Sequence, residues 1–305
     1  NIIIMNSAEQ RITDEWGKYV SASAFKSKYT ISSYKNNHKR LTDYIQYPLH
    51  EAKPQEIIDA VHFLAENPNT KLSLLNTAIV FYTIHDVDGK LLLKEKNIIM
   101  DAVRSWKIMK DKAKGKILPT VDEIQLHLKS LYKEEKWRDF ILMYLLINFN
   151  VRNKDLDVEI VDSIHKTKAD KSRNYLVQRK NDIVYIRYSY KTFKTYGVKR
   201  NIFKSILVER AIRYLKAETP KDQPIYLIAN EAGERLVESS IANYVKARTL
   251  RKLTESDYNK VFVTDIVDRA DYEGLINLSN NRGTSLETLI TSYNIPAEKI
   301  FPEHT

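Results

Sequence analysis

Apolar residues recur along the chain with two periods, and the period changes past the middle. In "KPQEIIDAVHFLAEN", Ile57, Val61 and Leu64 fall on one helical face, with Pro54 near the helix start. "TKLSLLNTAIVFYTIHDV" and "KEKNIIMDAVRSWKIM" read as two further helices, so the first third predicts a helical domain over residues 1–110. The last helix runs into "KDKAKGKIL", where Lys110, Lys112, Lys114 and Lys116 gather around Gly115. A charged, Gly-containing stretch of this kind predicts a linker, placed at 111–118. A second domain, 119–305, opens at "LPTVDEIQLHL", where Thr120 and Glu123 have capping-box spacing. "WRDFILMYLLINF" is apolar on nearly every side, which predicts a buried helix.

Beyond this point the period drops to two. "NYLVQRK" and "DIVYIRYSYK" flank Asn181-Asp182 and predict a hairpin. Alternation puts Val184, Ile186, Tyr188 and Tyr190 on one face, and Tyr185, Arg187 and Lys191 on the other. A third strand-like run, "VKRNIFKS", follows Gly197. Helical spacing then returns in "ILVERAIRYLKAE", "SSIANYVKARTLRKL", part of "VFVTDIVDRADY" and "RGTSLETLITSYN". In the last, Thr284 and Glu287 again have capping-box spacing, and Leu286, Leu289, Ile290 and Tyr293 share a face. The expected class is mainly α with a small antiparallel sheet, α+β in its second domain.

Composition adds a partner class. Among 305 residues the formal net charge is +10 and the pI about 9.3, a surplus that favours a polyanion, nucleic acid before membrane. The chain has no cysteine, which excludes disulfides, thiol nucleophiles and cysteine-bound zinc. The seven histidines show no metal-ligand spacing, and nothing in the sequence asks for a cofactor. No apolar run approaches the ~18 residues of a membrane span, and "NIIIMNSAEQR" lacks the basic start of a signal peptide, so an intracellular protein is expected.

Four stretches carry residues suited to phosphate chemistry. "NVRNKDL" puts Arg152 just after the buried helix, with Asp155 three residues on. "SYKTFKTYG" puts Lys191 at a strand end. "RTLRKL" puts Arg248 and Arg251 three apart on a helix, and "RGTSLETLITSYN" puts Tyr293 nine residues after Thr284. Singly, each has an ordinary role: Arg152 neutralising a helix end, Lys191 and the arginines solvated, Thr284 a cap, Tyr293 in the core.

Their order resembles the tyrosine recombinase (phage integrase) family over roughly residues 118–295. "VRNKDL" is similar to that family's first box and "YKTFKTYGVKR" to its hairpin lysine, matching Lys191 better than Lys194. "RTLR" stands where H-x-x-R is usual, so Arg251 takes the family arginine's place and Arg248 that of histidine. Gly283-Thr284 with Tyr293 keeps the fourth box's spacing, with Thr in place of His. The resemblance implies a two-domain clamp on double-stranded DNA, monomeric when free and tetrameric on DNA, with the tail "IPAEKIFPEHT" as an element exchanged between copies. It implies strand cleavage and rejoining through a 3′-phosphotyrosyl bond, with Tyr293 as nucleophile, Arg152 and Arg251 clamping the phosphate and Lys191 protonating the leaving 5′ oxygen. Arg248 and Thr284 add phosphate contacts, and Lys110, Lys112, Lys114, Lys116, Arg187 and Lys194 are candidate DNA contacts. The residue types suit the task. A phenol has a reference pKa near 10 and needs neighbouring positive charge to attack at neutral pH. Arginine grips phosphate with two donors and keeps its charge. Two rivals remain: a type IB topoisomerase-like enzyme, whose relatives carry Lys-x-x-Arg in the third box, and a DNA-binding protein that has lost catalysis along with both histidines.

Overall fold

The computed structural model of the chain describes residues 7–23, 28–115, 118–164 and 170–294. The chain divides into two compact units, residues 1–111 and 112–305.

The first unit is built from α1 (Ser7–Ala22), α2 (Lys28–Ile45), α3 (Pro54–Leu64), α4 (Pro68–Ile84) and α5 (Lys90–Gly115). Pro54 occupies the first turn of α3, where its missing N–H costs nothing, and Ile57 and Val61 are fully buried as their spacing requires. Tyr19, Leu41, Leu74 and Phe81 complete the core. Helix α5 continues through Gly115, so the first half of the expected linker is helical. Lys110 lies over the Trp106 ring, 3.7 Å from its centroid. Lys116 and the side chains of Lys112 and Lys114 fall outside the described residues.

One polar hub sits inside this unit. The buried Glu15 carboxylate accepts from His38 Nε2 at 2.7 Å and Leu49 N at 3.0 Å through one oxygen. Through the other it accepts from His50 Nδ1 at 2.7 Å and His50 N at 2.9 Å. Glu15, His50 and His85 bring one ligand-type atom each within 4.8 Å of one another. The His50 and His85 rings are stacked with centroids 3.7 Å apart, however, so their in-plane lone pairs do not converge on one point. The hub therefore reads as a tie between α1, α2 and the turn at Leu49–Glu51. Burial pushes the Glu15 pKa up, but the bonds from His38, His50 and the backbone outweigh it and hold it low. A depressed carboxylate adds stability above its unfolded pKa and loses it as pH falls through the folded value. The expected result is acid destabilisation of this unit below about pH 4.3. Glu15→Gln should weaken that pH dependence and cost about 3 to 5 kcal/mol, because a buried partner is removed from its pair. Hydrogen exchange in α1 and α2 as a function of pH checks this.

The second unit opens with α6 (Val121–Lys133) and α7 (Trp137–Phe149). The Thr120–Glu123 capping box forms as its spacing predicts, with Thr120 N donating to Glu123 at 2.8 Å and Glu123 N to Thr120 Oγ1 at 3.2 Å. Nine side chains of α7 are buried, which is why it is apolar all round. A five-stranded sheet follows: β1 (Val158–Val161), β2 (Asn174–Gln178), β3 (Ile183–Arg187), β4 (Lys199–Phe203) and β5 (Ile225–Tyr226). The short helix α8 (Phe193–Tyr196) lies in the β3–β4 connection. Spatial order is β4-β3-β2-β1-β5. The predicted hairpin pairs β2 with β3 around Asn181-Asp182, and β4 adds antiparallel to β3 with Lys199 opposite Arg187.

The sheet departs from the expected antiparallel form at β1, which pairs parallel to β2. Its sequence, "VEIV", is four residues inside a polar run, too short for alternation to register. Both sheet faces are covered. Leu176, Ile183 and Tyr185 join the core under α7 and α9 (Ile206–Glu218), while Tyr175, Val177, Val184 and Ile186 form a second cluster with Val161. The remaining helices are α10 (Glu238–Arg248), α11 (Glu255–Asp268), α12 (Tyr272–Arg282) and α13 (Leu286–Tyr293). No described helix is long and apolar enough to cross a membrane.

Candidate active site

Three helix ends bring the site together. Helix α7 stops at Asn150, which adopts a left-handed conformation (φ 43°) and turns the chain into the loop that carries Arg152. Helix α12 stops at Gly283 (φ 64°), so that Arg282 is its last residue. Ser285 then caps α13 through Thr288 N, and Tyr293 is the final residue of that helix. The cap is thus Ser285 rather than Thr284. Leu289 is buried, whereas Leu286 and Ile290, expected to pack, are 41% and 43% exposed.

Arg152 Nη1 donates to the Arg282 carbonyl at 2.7 Å. Arg282 is itself buried, and its Nη2 donates to Glu255 Oε1 at 2.5 Å and to the Tyr293 hydroxyl at 3.3 Å. Its Nη1 donates to the Asn150 carbonyl at 3.3 Å, and its guanidinium lies 4.9 Å from the centre of the Tyr293 ring. Tyr293 is half-buried. Burial and the Arg282 charge push the Arg152 pKa down, yet arginine stays protonated in proteins. For Arg282 burial acts in the same sense, but Glu255 and Tyr293 outweigh it and the pKa rises.

Beneath this cluster lies a buried ion pair. Arg187 Nη1 donates to Asp155 Oδ2 at 3.1 Å and to the Asn281 carbonyl at 2.8 Å, and its Nη2 donates to Asn201 Oδ1 at 3.1 Å. Arg187 had been expected at the DNA-facing surface and is instead fully buried, on the Tyr185 side of a sheet covered on both faces. Its bonds tie β3, β4, the Arg152 loop and the end of α12 to one another.

Lysine placement also differs from expectation. Lys191 is exposed in the turn after β3, and Lys194 is exposed on α8. Lys199, on β4, is the lysine brought to the fourth box. Its ammonium donates to the Asn280 carbonyl and lies 4.9 Å from the Tyr196 ring centre. Burial and the charges of Arg187 and Arg152 push its pKa down to about 8. Gly283 is required here on two counts. Its φ is left-handed, and a Cβ on it would stand 2.6 Å from Thr192 Oγ1 and 3.0 Å from Lys199 Nζ. Thr284, next in the chain, is held through its backbone by Ser279 on both sides.

Arg248 and Arg251 do not share a helical face. Helix α10 ends at Arg248, and Arg251 has a positive φ of 58° in the turn beyond it. Arg248 Nε donates to Asp139 at 2.7 Å and its guanidinium stacks on Tyr244, while Arg251 Nη2 donates to Glu123 at 2.7 Å. Arg248 Nη1 also donates to the Tyr244 carbonyl at 3.2 Å. The guanidinium in contact with Tyr293 is Arg282, which sequence reading passed over. It directly precedes the Gly283-Thr284 pair, a placement that could have drawn attention to it. The "IPAEKIFPEHT" tail lies outside the described residues.

This architecture resembles that of a transposon integrase of known structure. The chain is similar to the Tn1549 transposon integrase, solved in complex with transposon right end DNA: 13% identity, 95% of this chain and 96% of that one, TM-score 0.57. It is also similar to XerA recombinase, at 14% identity over 96% of each chain with a TM-score of 0.38. At 13% identity the likeness to the Tn1549 integrase is one of fold. No protein-family model matches the chain, and no curated protein matches its sequence.

Proposed function

We propose that the protein is a site-specific DNA recombinase or integrase that cuts and rejoins strands through a covalent bond between Tyr293 and a 3′ phosphate. The observation that carries this reading is the Arg152–Arg282–Tyr293 cluster. Arg282 donates to the half-buried Tyr293 hydroxyl and to Glu255, Arg152 donates to the Arg282 carbonyl, and the Lys199 ammonium, held by the Asn280 carbonyl, is near enough to feel the Arg152 charge. The Arg187–Asp155 pair beneath is neutral overall, so the cluster carries a positive surplus that suits an anion.

The step balances without metal or ATP. The Tyr293 oxygen attacks phosphorus and its proton passes to water. The new O–P bond forms as the P–O5′ bond breaks, and Lys199 gives a proton to the departing 5′ oxygen. Arg152 holds the non-bridging oxygens as charge builds, a preorganised contact typically worth about 3 to 4 kcal/mol. The Thr284 hydroxyl adds a neutral donor, weaker than a charged one. Attack by a 5′ hydroxyl from another strand reverses the chemistry and exchanges strands. The helical first unit fits a recombinase better than a type IB topoisomerase, which more often begins with β-rich structure. Lys110 to Lys116, Lys194 and exposed Lys191 are then contacts to duplex DNA. The active form is a tetramer on two DNA sites, assembled from free monomers.

The test is to incubate the protein with a pool of nicked duplexes of randomised sequence and search for adducts that survive denaturation. Site-selective adducts support the recombinase. Relaxation of supercoiled plasmid with no preferred site would move the assignment to a topoisomerase, and binding with no adduct to a DNA-binding protein.

A further inference from the structure

The residues assigned above leave one question: what makes the Tyr293 phenol reactive at neutral pH. The third-box arginines do not answer it, because Arg248 and Arg251 are engaged with Asp139 and Glu123. Resting on the reading just given, we propose that Arg282 is a catalytic residue, which activates Tyr293 by donating to its hydroxyl oxygen and stabilising the negative charge that oxygen develops.

Three observations carry this. Arg282 Nη2 is 3.3 Å from the Tyr293 oxygen, and a guanidinium can only donate, so that oxygen is the acceptor. The bond stays available as the proton leaves, and it strengthens as the acceptor becomes anionic. The guanidinium is also held at both terminal nitrogens. Glu255 at the start of α11 grips the same nitrogen at 2.5 Å, and Asn150 takes the other at 3.3 Å. Arg282 is 2% exposed, so water screens the interaction little. Finally, the hold extends through the backbone. Asn281 is tied to Arg187 at 2.8 Å and the Arg282 carbonyl to Arg152 at 2.7 Å, so the residue that binds phosphate and the one that activates the nucleophile share a single anchor. Glu255 sets the position of Arg282 and touches no reacting atom.

The experiment isolates the nucleophile. The duplex recovered as a covalent adduct from the randomised pool is remade with a 5′-bridging sulfur at the scissile position. Tyr293 then displaces a thiolate: the O–P bond forms, the P–S bond breaks and no general acid is needed. Single-turnover cleavage at saturating DNA is followed from pH 6 to pH 10.5. Because Arg282→Ala would strand a buried carboxylate, the variant is Arg282→Gln/Glu255→Gln, with Glu255→Gln alone as control and thermal melting to confirm that both fold. The double variant should be about 100- to 1,000-fold slower at pH 7, the usual cost of one lost charge-stabilising donor. The gap should close towards pH 10, where a phenol ionises unaided. Glu255→Gln alone, whose amide oxygen can still accept from Arg282, should slow cleavage by less than the double variant. A gap that stays constant across pH, a double variant as fast as the parent, or a Glu255→Gln as slow as the double variant overturns the proposal. An adduct that persists in Tyr293→Phe, or no adduct at all, is a different failure, because it removes the functional reading itself.

Discussion

Tyr293→Phe is expected to abolish the proposed covalent protein–DNA adduct and to leave DNA affinity and melting temperature nearly unchanged. The substitution removes one oxygen, and with it the only atom on that side chain able to attack phosphorus. What it removes from the fold is small. The hydroxyl's described bond is a single 3.3 Å contact from Arg282, which keeps Glu255 and Asn150 as partners. The ring remains in its cluster with Val263, Leu275, Leu278 and Leu289. A stability loss within about 1 kcal/mol is expected from one exchanged hydrogen bond. The check is a denaturing gel for the adduct beside a filter-binding titration. An adduct that survives would place the nucleophile on another of the 19 tyrosines.

Lys199→Ala is expected to slow cleavage of ordinary DNA by about a hundred- to ten-thousand-fold, the range for a lost general acid. A 5′-bridging phosphorothiolate restores it, since a thiol of pKa near 8.5 leaves without a donated proton. With Lys199 held at about 8, kcat/KM on ordinary DNA should also fall as pH rises through that value, because the acid form is the one consumed. Lys191→Ala, in the exposed turn, should cost mainly affinity and show no selective rescue. The contrast matters because the sequence points to Lys191 and the structure to Lys199. If the thiolate substrate rescues Lys191→Ala and not Lys199→Ala, the strand-end lysine is the acid after all.

The difference between the two lysines has a physical origin. The K-T dipeptide at Lys191 is a local signal, whereas Lys199 reaches the site only because β4 pairs with β3 and then meets the end of α12. Local rules served well where the chain obeys them locally. The Thr120–Glu123 box, the all-round apolar α7 and the β2–β3 hairpin each formed where their spacing put them. They failed where burial depended on a distant element. Arg187 alternates with Tyr185, and that pattern was right; what it could not show is that both faces of the sheet are covered, so that the arginine is buried against Asp155 and Asn281. Arg248 and Arg251 have helical spacing, but the chain leaves the helix between them. Arg282 sits beside the Gly283-Thr284 pair, and apart from that placement nothing in its local sequence singles it out. Its importance comes from contacts with Asn150 and Glu255, 132 and 27 residues away. The Glu15 hub is hidden in the same way, because its partners lie 23 and 35 residues off in sequence.

The most direct measurement of the central claim is the chemical identity of the protein–DNA bond. The adduct recovered from the randomised nicked duplexes is digested with nuclease and protease, and the modified peptide is sequenced by mass spectrometry. The expected result is a nucleotide joined through its 3′ phosphate to Tyr293, in the peptide that follows Arg282. A nucleotide on any other residue, or a 5′-phosphate linkage on Tyr293, would contradict the account.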